Sequence, residues 1–263
     1  MSHPRPVALT IAGSDPSGGA GIQADLKTFH QCGVYGEAAI TLLTVQNTRG
    51  VSRVECMPAD LVAEQIRAVV EDIPPGAAKT GALGNAEIIR AVAELAASFE
   101  FPLVVDPVMI SKHGATLLAA DAIDALTTCL LPHAFLVTPN LEEAAALAGI
   151  QVHDVASMRA AAEKISGFGA KAVLVKGGHL EGDAIDVLLY QGEWLELAAP
   201  RIETKHTHGT GCTYSAAITA SLASGFDLIA AVRRAKRYIA EAIRGNAQLG
   251  SGCGPVNHHA KCD

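Results

Sequence analysis

Apolar runs and amphipathic segments alternate along this chain. Short runs rich in Val, Ile and Leu predict buried strands, and apolar residues three and four positions apart predict helices. Glycine and polar residues follow most of the apolar runs. The predicted strands lie within residues 7–12, 38–45, 77–84, 101–109, 134–139 and 170–175, with a hairpin over 185–190 and 194–198. The predicted helices begin at residue 22 or cover residues 61–70, 88–97, 141–147, 210–223 and 227–243.

Strand, helix and strand alternate at least five times, which is typical of parallel strands joined by crossover helices. We therefore predict an α/β fold with a doubly wound, mostly parallel sheet and helices on both faces. No repeat, low-complexity segment or linker interrupts the pattern, so residues 1–263 are predicted to form one domain. The carboxyl ends of parallel strands form the edge where such proteins bind ligands.

The composition narrows the choice of partners. Apolar residues make up 49% of the chain and aromatic residues 4%, which suits a core of Ala, Val, Leu and Ile. The net charge of −7 argues against nucleic acid and anionic membranes, because both bind basic surfaces. No apolar run approaches the ~20 residues of a membrane span. A small anionic substrate stays open, since one cluster of N–H groups can bind it.

The six cysteines contain no C-x-x-C pair, and the N-terminus has no apolar signal segment. This pattern indicates free thiols in a reducing cytoplasm. The C-terminal tail holds two cysteines and two histidines, but their spacing does not match a zinc site.

The segment from His208 to Cys212 predicts an anion site, because two glycines lead directly into an apolar helix. The first N–H groups of a helix have no internal partner, and glycine lets the backbone approach a phosphate closely. Cys212 would lie at the helix N-terminus, where a thiol is most easily ionised. The alternative is a plain glycine turn with an inert cysteine. His208 is expected to orient the loop, and His206 to be exposed.

A second glycine-rich loop follows the first predicted strand, at residues 13–21. It is not a nucleotide-binding P-loop, because Gly19 stands where that motif requires a lysine. The loop is expected to close over a substrate, with Asp15 and Asp25 as polar anchors. Alternatively, Asp15 starts a turn and Asp25 is a surface residue of the helix.

Further polar residues stand at the ends of predicted strands. Gln46 offers a donor and an acceptor that suit an aminopyrimidine edge, Asp106 could hold a metal-bound water, and Lys176 could neutralise a phosphate. The alternatives are that Gln46 is a turn residue and that Asp106 and Lys176 are solvent-facing charges. Asn140 and Glu143 have the spacing of a helix capping box, which alone would explain both.

Taken together and in order, these motifs resemble the ribokinase superfamily, and within it the bifunctional hydroxymethylpyrimidine/phosphomethylpyrimidine kinases of thiamine biosynthesis. The resemblance covers nearly the whole chain. It is carried by Gly13–Asp25, Gln46–Thr48, Asp106–Met109, Thr138–Glu143, Lys176–His179, His208–Cys212 and Gly254–His258.

The resemblance implies a ribokinase-like fold and a cytoplasmic homodimer. It also implies phosphorylation, with ATP and Mg²⁺, of 4-amino-5-hydroxymethyl-2-methylpyrimidine and then of its monophosphate. By resemblance, the pyrimidine is contacted by Gln46, Gly13 and Asp25, and the anion hole is formed by Gly209, Thr210 and Gly211. The resemblance also implies that the nucleotide is contacted by Lys176, Thr210 and Asn140. It implies that Mg²⁺ and its waters are held by Glu143 and Asp106. Cys212 stands where many sugar kinases of the superfamily have an aspartate as general base. We expect it to accept the substrate proton or to complete the anion hole.

One position departs from the family pattern. Ala82 stands where these kinases commonly have a methionine over the substrate ring. A pyridoxal kinase of the same superfamily therefore remains the second candidate. A non-catalytic pyrimidine or nucleotide sensor is less favoured, because it would need no phosphoryl-transfer residues. A Rossmann oxidoreductase is disfavoured, since neither glycine loop fits G-x-G-x-x-G.

Overall fold

A computed structural model of the protein describes residues 5–109, 121–178 and 182–262. Within these ranges nine strands form one sheet, in the order β3-β2-β1-β4-β5-β6-β7-β8-β9. The strands are β1 (Val7–Ser14), β2 (Tyr35–Asn47), β3 (Gly50–Cys56), β4 (Ala77–Thr80), β5 (Leu103–Val105), β6 (Leu136–Val137), β7 (Ala172–Val175), β8 (Ala184–Tyr190) and β9 (Glu193–Ala199).

Six central strands are mutually parallel, and in sheet order they are β2, β1, β4, β5, β6 and β7. At the two ends of the sheet, β3, β8 and β9 each run antiparallel to the preceding strand. The sequence prediction of a mostly parallel, doubly wound sheet is thus confirmed. All the parallel strands end at one edge, which brings the loops that follow them together.

Helices cover both faces of the sheet. They are α1 (Gly21–Gln31), α2 (Ala59–Asp72), α3 (Ala86–Ala96), the short α4 (Ala122–Ala125), α5 (Leu141–Ala148), α6 (Val155–Ser166), α7 (Thr210–Ala223) and α8 (Leu228–Arg244). Helices α2, α3, α5 and α6 pack on one face of the sheet, against central-strand residues such as Ala78, Val105 and Val173. Helices α7 and α8 pack on the other face, against residues such as Ala77, Val104 and Leu174. The sheet is therefore buried on both faces, as its uninterrupted apolar runs predict.

The sequence analysis did not predict the short helix α4, strand β3 or helix α6. Strand β3 is mostly exposed and carries Ser, Arg and Glu, so its alternation is weak. Helix α6 follows an Asp154 capping box that was not recognised. Conversely, the strand predicted over residues 101–109 shrinks to Leu103–Val105, because prolines stand at 102 and 107 and cannot donate to the sheet.

The prediction that all six cysteines are free thiols is wrong for two of them. Cys32, at the end of α1, and Cys262 form a disulfide with a Cα–Cα distance of 5.3 Å. The tail, residues 252–262, returns across the molecule to reach α1, which a separation of 230 residues conceals in the sequence. Cys56, Cys129, Cys212 and Cys253 are free. In the described part of the chain, no helix has both the length and the apolarity to cross a membrane.

Candidate active site

Two glycine-rich loops meet at the carboxyl edge of the sheet. The glycine loop, residues 13–21, begins at the end of β1, and the anion loop, residues 208–212, includes the start of α7. Gly209 caps α7 with a φ of +78°, and a Cβ on it would lie 1.7 Å from the carbonyl oxygen of Gly19. Only glycine tolerates both the backbone conformation and this contact. The two loops therefore form one continuous wall.

Lys176 stands directly in front of the anion loop. A Cβ built on Gly211 would lie 3.3 Å from the Lys176 amine and 3.9 Å from Oδ2 of Asp106. Lys176 Nζ is 2.8 Å from Asp106 Oδ1, and both side chains are largely buried. The arrangement places a cation beside the N–H groups at the start of α7, which is the charge pattern that binds a phosphate.

The same carboxylate gathers further partners. Thr138 donates to Asp106 Oδ1 over 3.2 Å, and Ser215 donates to Oδ2 over 3.3 Å. Burial alone would raise the pKa of Asp106, but Lys176 and Lys79 hold it below its usual range. Burial alone would lower the pKa of Lys176, but Asp106 and Glu143 raise it. The pair is therefore ionised at neutral pH.

Asp25 belongs to a second, fully buried ion pair. Its Oδ2 accepts from Lys79 Nζ over 2.9 Å and from Thr10 over 2.6 Å. The alternative of a surface residue on α1 is therefore wrong. Burial opposes the charge on Lys79, but Asp25 outweighs it and raises the pKa of Lys79. The other oxygen of Asp25 has no hydrogen-bond partner among the described residues.

Cys212 is half-buried in the first turn of α7. Burial raises the pKa of its thiol to about 12, although Lys79 acts in the opposite direction. The expectation that the helix N-terminus would ionise this thiol is therefore wrong. The desolvation penalty of the charged form exceeds the attraction of nearby positive charge. The thiol is protonated at neutral pH.

Asp15 organises the glycine loop. Its carboxylate accepts the N–H groups of Ser17, Gly19 and Ala20 and lies 2.8 Å from Nε2 of His208. Burial raises the pKa of Asp15, but the bonds from His208 and Ser17 lower it to about 2. Asp15 is thus an internal anchor of the glycine loop. One end of the Gln46 amide lies 3.3 Å from the same His208 nitrogen, so both loops and the end of β2 are joined.

Gly13 contacts this end of β2, since a Cβ on it would lie 2.5 Å from a methyl carbon of Leu42. His206, expected to be exposed, is buried instead, and its Nδ1 accepts the N–H of Gly254. The tail therefore packs against the anion loop, a contact that the spacing of these residues in the sequence does not reveal.

Asn140 and Glu143 form the predicted capping box at the start of α5. Glu143 Oε2 accepts the Asn140 N–H over 2.8 Å, and Asn140 Oδ1 accepts the Glu143 N–H over 2.9 Å. Burial raises the pKa of Glu143 to about 7, since Asp106 adds to this effect and Lys176 only partly opposes it. Asn140 also bridges to Lys176 across the ends of β6 and β7.

All the predicted site residues thus lie along one edge of the sheet. His179 of the Lys176 motif lies outside the described residues. In the described ranges no three His, Cys, Asp or Glu side chains group as metal ligands. Sequence reasoning missed Lys79 as a site residue. A lysine inside the apolar run at residues 77–80 was the available signal, because a buried strand rarely carries an unpaired charge.

The doubly wound sheet, the anion loop and the lysine–aspartate pair in front of it define a ribokinase-like phosphotransferase. The family model described as phosphomethylpyrimidine kinase matches residues 15–257. The chain belongs to this family.

Individual relatives agree with the assignment. A hydroxymethylpyrimidine/phosphomethylpyrimidine kinase of Streptomyces coelicolor is 49% identical over 96% of this chain and 94% of its own length. A phosphomethylpyrimidine kinase structure from Clostridium difficile is 46% identical, with a TM-score of 0.80, over 91% of this chain and all of that one. A Staphylococcus aureus pyridoxal kinase in complex with AMP-PCP and pyridoxal is 37% identical, with a TM-score of 0.90, over 98% of this chain and 95% of that one.

Proposed function

We propose that this protein transfers a phosphoryl group from ATP to the hydroxymethyl group of 4-amino-5-hydroxymethyl-2-methylpyrimidine, and then phosphorylates the monophosphate, in cytoplasmic thiamine biosynthesis. The observation that carries the proposal is the Lys176 amine, paired with Asp106 and held 3.3 Å from where a Gly211 side chain would begin. A cation fixed against helix N–H groups stabilises the equatorial oxygens of a transferred phosphoryl group.

The other site residues are assigned roles in binding the transferred phosphoryl group or the nucleotide, together with Lys176. Gly209, Thr210 and Gly211 would form the anion hole, while Lys176 and Asn140 would hold the nucleotide. Cys212 would contribute to the hole as a neutral thiol rather than as a resting base, because its pKa of about 12 keeps the proton on sulfur. In this role it shapes the hole and excludes water.

The acidic side chains nearby fit Mg²⁺, which prefers oxygen ligands and often takes only one or two from the protein. Burial, with a smaller contribution from Asp106, raises the pKa of Glu143 to about 7, and a cation bound beside it would favour the ionised carboxylate. Glu143 and Asp106 would hold the ion, directly or through water. Bound there, Mg²⁺ would neutralise charge on the ATP phosphates.

A pyridoxal kinase remains the second candidate function. It is favoured by Ala82 and by the fold shared with the Staphylococcus aureus pyridoxal kinase. A non-catalytic sensor is disfavoured, since it would not need Lys176 and Asp106 beside an anion loop.

The test is mass spectrometry of the products after incubation with Mg·ATP and, in separate reactions, the hydroxymethylpyrimidine and pyridoxal. A pyrimidine diphosphate is the expected product. Pyridoxal phosphate alone would instead assign the protein to vitamin B6 salvage. Nucleotide binding without any phosphorylated product would support the sensor.

We also propose that the chain acts as a single domain and as a homodimer. Leu43 and Val45 on β2 are 45% and 58% exposed, an unusual solvent-facing apolar pair that a second copy would cover. Light scattering should give twice the chain mass for the wild type and for Ile229→Glu, an exposed position on α8. Val45→Glu should be monomeric. Dimers that persist in Val45→Glu would rule out this interface.

A further inference from the structure

The backbone around Lys176 is held from both neighbouring strands. The Lys176 N–H donates to the Pro139 carbonyl, at the end of β6, over 2.8 Å. The N–H of the next residue, Gly177, donates instead to a side chain, Oδ1 of Asp186 on β8, over 3.0 Å. The ladder between β7 and β8 ends just before Lys176, so the Asp186 carboxylate takes over from the ladder and fixes the turn that follows.

Asp186 lies beside Lys176 on the same face of the sheet. Leu174 of β7 and Leu188 of β8 form a cross-strand pair, and both belong to the core with α7 and α8. Side chains two positions further along each strand share that face, which brings Lys176 and Asp186 opposite each other. The Asp186 carboxylate is therefore a second potential partner for the Lys176 amine, on the other side of β7 from Asp106.

A lysine of α8 already occupies this second carboxylate. Lys236 Nζ lies 2.6 Å from Asp186 Oδ2 and donates to the Ala184 carbonyl over 3.0 Å. The side chains of Lys236 and Asp186 are 13% and 3% exposed. Both oxygens of Asp186 are thus engaged, one by the Gly177 N–H and the other by Lys236. Without Lys236 the buried carboxylate would lack a cation, and Lys176 stands opposite it.

We propose that Asp186 and Lys236 are positioning residues for Lys176. Asp186 fixes the backbone turn after Lys176. Lys236 neutralises Asp186, so the Lys176 amine stays with Asp106 in front of the anion loop. The inference rests on the proposed function, in which Lys176 holds the nucleotide and stabilises the transferred phosphoryl group. Asp186 and Lys236 act on the reaction only through Lys176.

The first test compares the steady-state kinetics of Lys236→Met and the wild type, with ATP and the hydroxymethylpyrimidine. In Lys236→Met the unpaired Asp186 should draw the Lys176 amine away from Asp106. We expect kcat to fall by roughly 10- to 100-fold, because a displacement of about 1 Å in a site can cost this much. KM for the pyrimidine should change little, since its predicted contacts lie on the β1 and β2 side of the site.

Removing the charge of Asp186 should restore the activity that Lys236→Met loses. In the double variant Asp186→Asn/Lys236→Met, the asparagine oxygen can still accept the Gly177 N–H, but no carboxylate competes with Asp106 for the Lys176 amine. Its kcat should return close to the wild-type value. Asp186→Leu/Lys236→Met removes the acceptor as well as both charges, and its kcat should stay low.

A second comparison shows whether the effect passes through Lys176. In a Lys176→Met background, adding Lys236→Met should not lower kcat further, because substitutions that act through one group are not additive. Arg159→Met is the matched control. It breaks another ion pair between a helix and the sheet, that of Arg159 on α6 with Glu196 on β9 at 2.9 Å, and should keep the wild-type kcat.

All rates are read on protein that remains folded by circular dichroism. Should Lys236→Met fail that criterion, Lys236→Gln carries the test, because its amide keeps a donor for the Ala184 carbonyl without the charge.

Three results would overturn the positioning role. They are a wild-type kcat in folded Lys236→Met, a double variant Asp186→Asn/Lys236→Met as slow as Lys236→Met, and additive losses in the Lys176→Met background. Each leaves the proposed function standing, since the wild type still phosphorylates the pyrimidine. A wild type that phosphorylates only pyridoxal would overturn the proposed function, and the same variants assayed with pyridoxal would then decide the inference. A wild type that phosphorylates neither compound would overturn both.

Discussion

At the residue scale, the two buried lysines of the site are each paired with an aspartate. Lys176 and Asp106, and Lys79 and Asp25, form ion pairs with amine-to-oxygen distances of 2.8 and 2.9 Å. Removing one member of a buried pair leaves the other charge unpaired, which costs about 3–5 kcal/mol of stability. Each lysine and its aspartate therefore depend on each other. The site thus combines two cations with a neutral thiol at Cys212.

Replacing Lys176 by methionine tests the cation in front of the anion loop. We expect kcat to fall by roughly 10²- to 10³-fold, because one preorganised charge opposite the transferred phosphoryl group is lost. Steady-state kinetics with the hydroxymethylpyrimidine would measure the effect. The matched control is Lys171→Met, an exposed position just before β7, which should keep the wild-type rate. Equal rates for the two variants would exclude the assigned role.

Glu37 on β2 makes stability depend on pH. Burial raises its pKa to about 7, Asp72 adds to the effect, and neither of its oxygens has a hydrogen-bond partner among the described residues. Because the folded pKa lies above the unfolded value of 4.5, the folded state binds the proton more tightly. Stability should therefore fall as the pH rises from about 4.5 to 7, by on the order of 1–3 kcal/mol, and then level off.

Glu37→Gln should remove the contribution of Glu37 to this dependence, so the variant should gain stability over the wild type as the pH rises through that window. Urea unfolding at several pH values would show it. Glu64→Gln, at an exposed position on α2, is the control and should track the wild type. Parallel curves for Glu37→Gln and the wild type would refute the assignment.

At the element scale, the start of α7 depends on Gly209. An alanine there would meet the Gly19 carbonyl oxygen at 1.7 Å and would also adopt an unfavourable φ of +78°. Gly209→Ala should therefore displace the two loops from each other and reduce kcat/KM by at least ~100-fold, since small displacements of positioning groups are costly. Gly225→Ala shares the positive φ, at +84°, but meets nothing within 4 Å. It should lose only about 1 kcal/mol of stability and keep its activity. Similar activities in both variants would contradict the role of the loop contact.

The elements also show what the sequence could and could not predict. The apolar runs predicted β1, β2 and β4 to β9, and the glycines and polar residues after them predicted the site edge. Lys79 with Asp25 escaped prediction because the two are 54 residues apart, and a single sequence carries no signal for such a pairing. The pKa of Cys212 escaped it as well, because desolvation depends on the surrounding packing rather than on position in a helix.

At the scale of the whole molecule, the tail joins elements from both ends of the chain. Gly254 and Val256 bond to the backbone of His208, and Cys253 donates to the Thr48 carbonyl at the end of β2. Arg234 of α8 donates to the Cys262 carbonyl over 2.6 Å beside the disulfide. The tail thereby connects α1, the anion loop and α8.

Cys32→Ser should lower the melting temperature by roughly 5–15 °C, because a disulfide across a long loop is commonly worth about 2–4 kcal/mol. Treatment of the wild type with a dithiol reductant should have the same effect and should add nothing to the variant. Cys129→Ser, at a half-buried free thiol, is the control. Alkylation followed by mass spectrometry counts the free thiols, four in the oxidised form. An unchanged melting temperature on reduction would show that the bond does not contribute.

The disulfide also determines whether cleavage of the backbone releases a fragment. Cys32 and Cys262 lie near opposite ends of the chain, so the bond turns almost the entire polypeptide into a covalent ring. A single proteolytic cut at the exposed Gln191–Gly192 turn would open that ring without releasing a fragment. Such nicked protein would migrate as one species under denaturing, non-reducing electrophoresis and separate into two only after reduction.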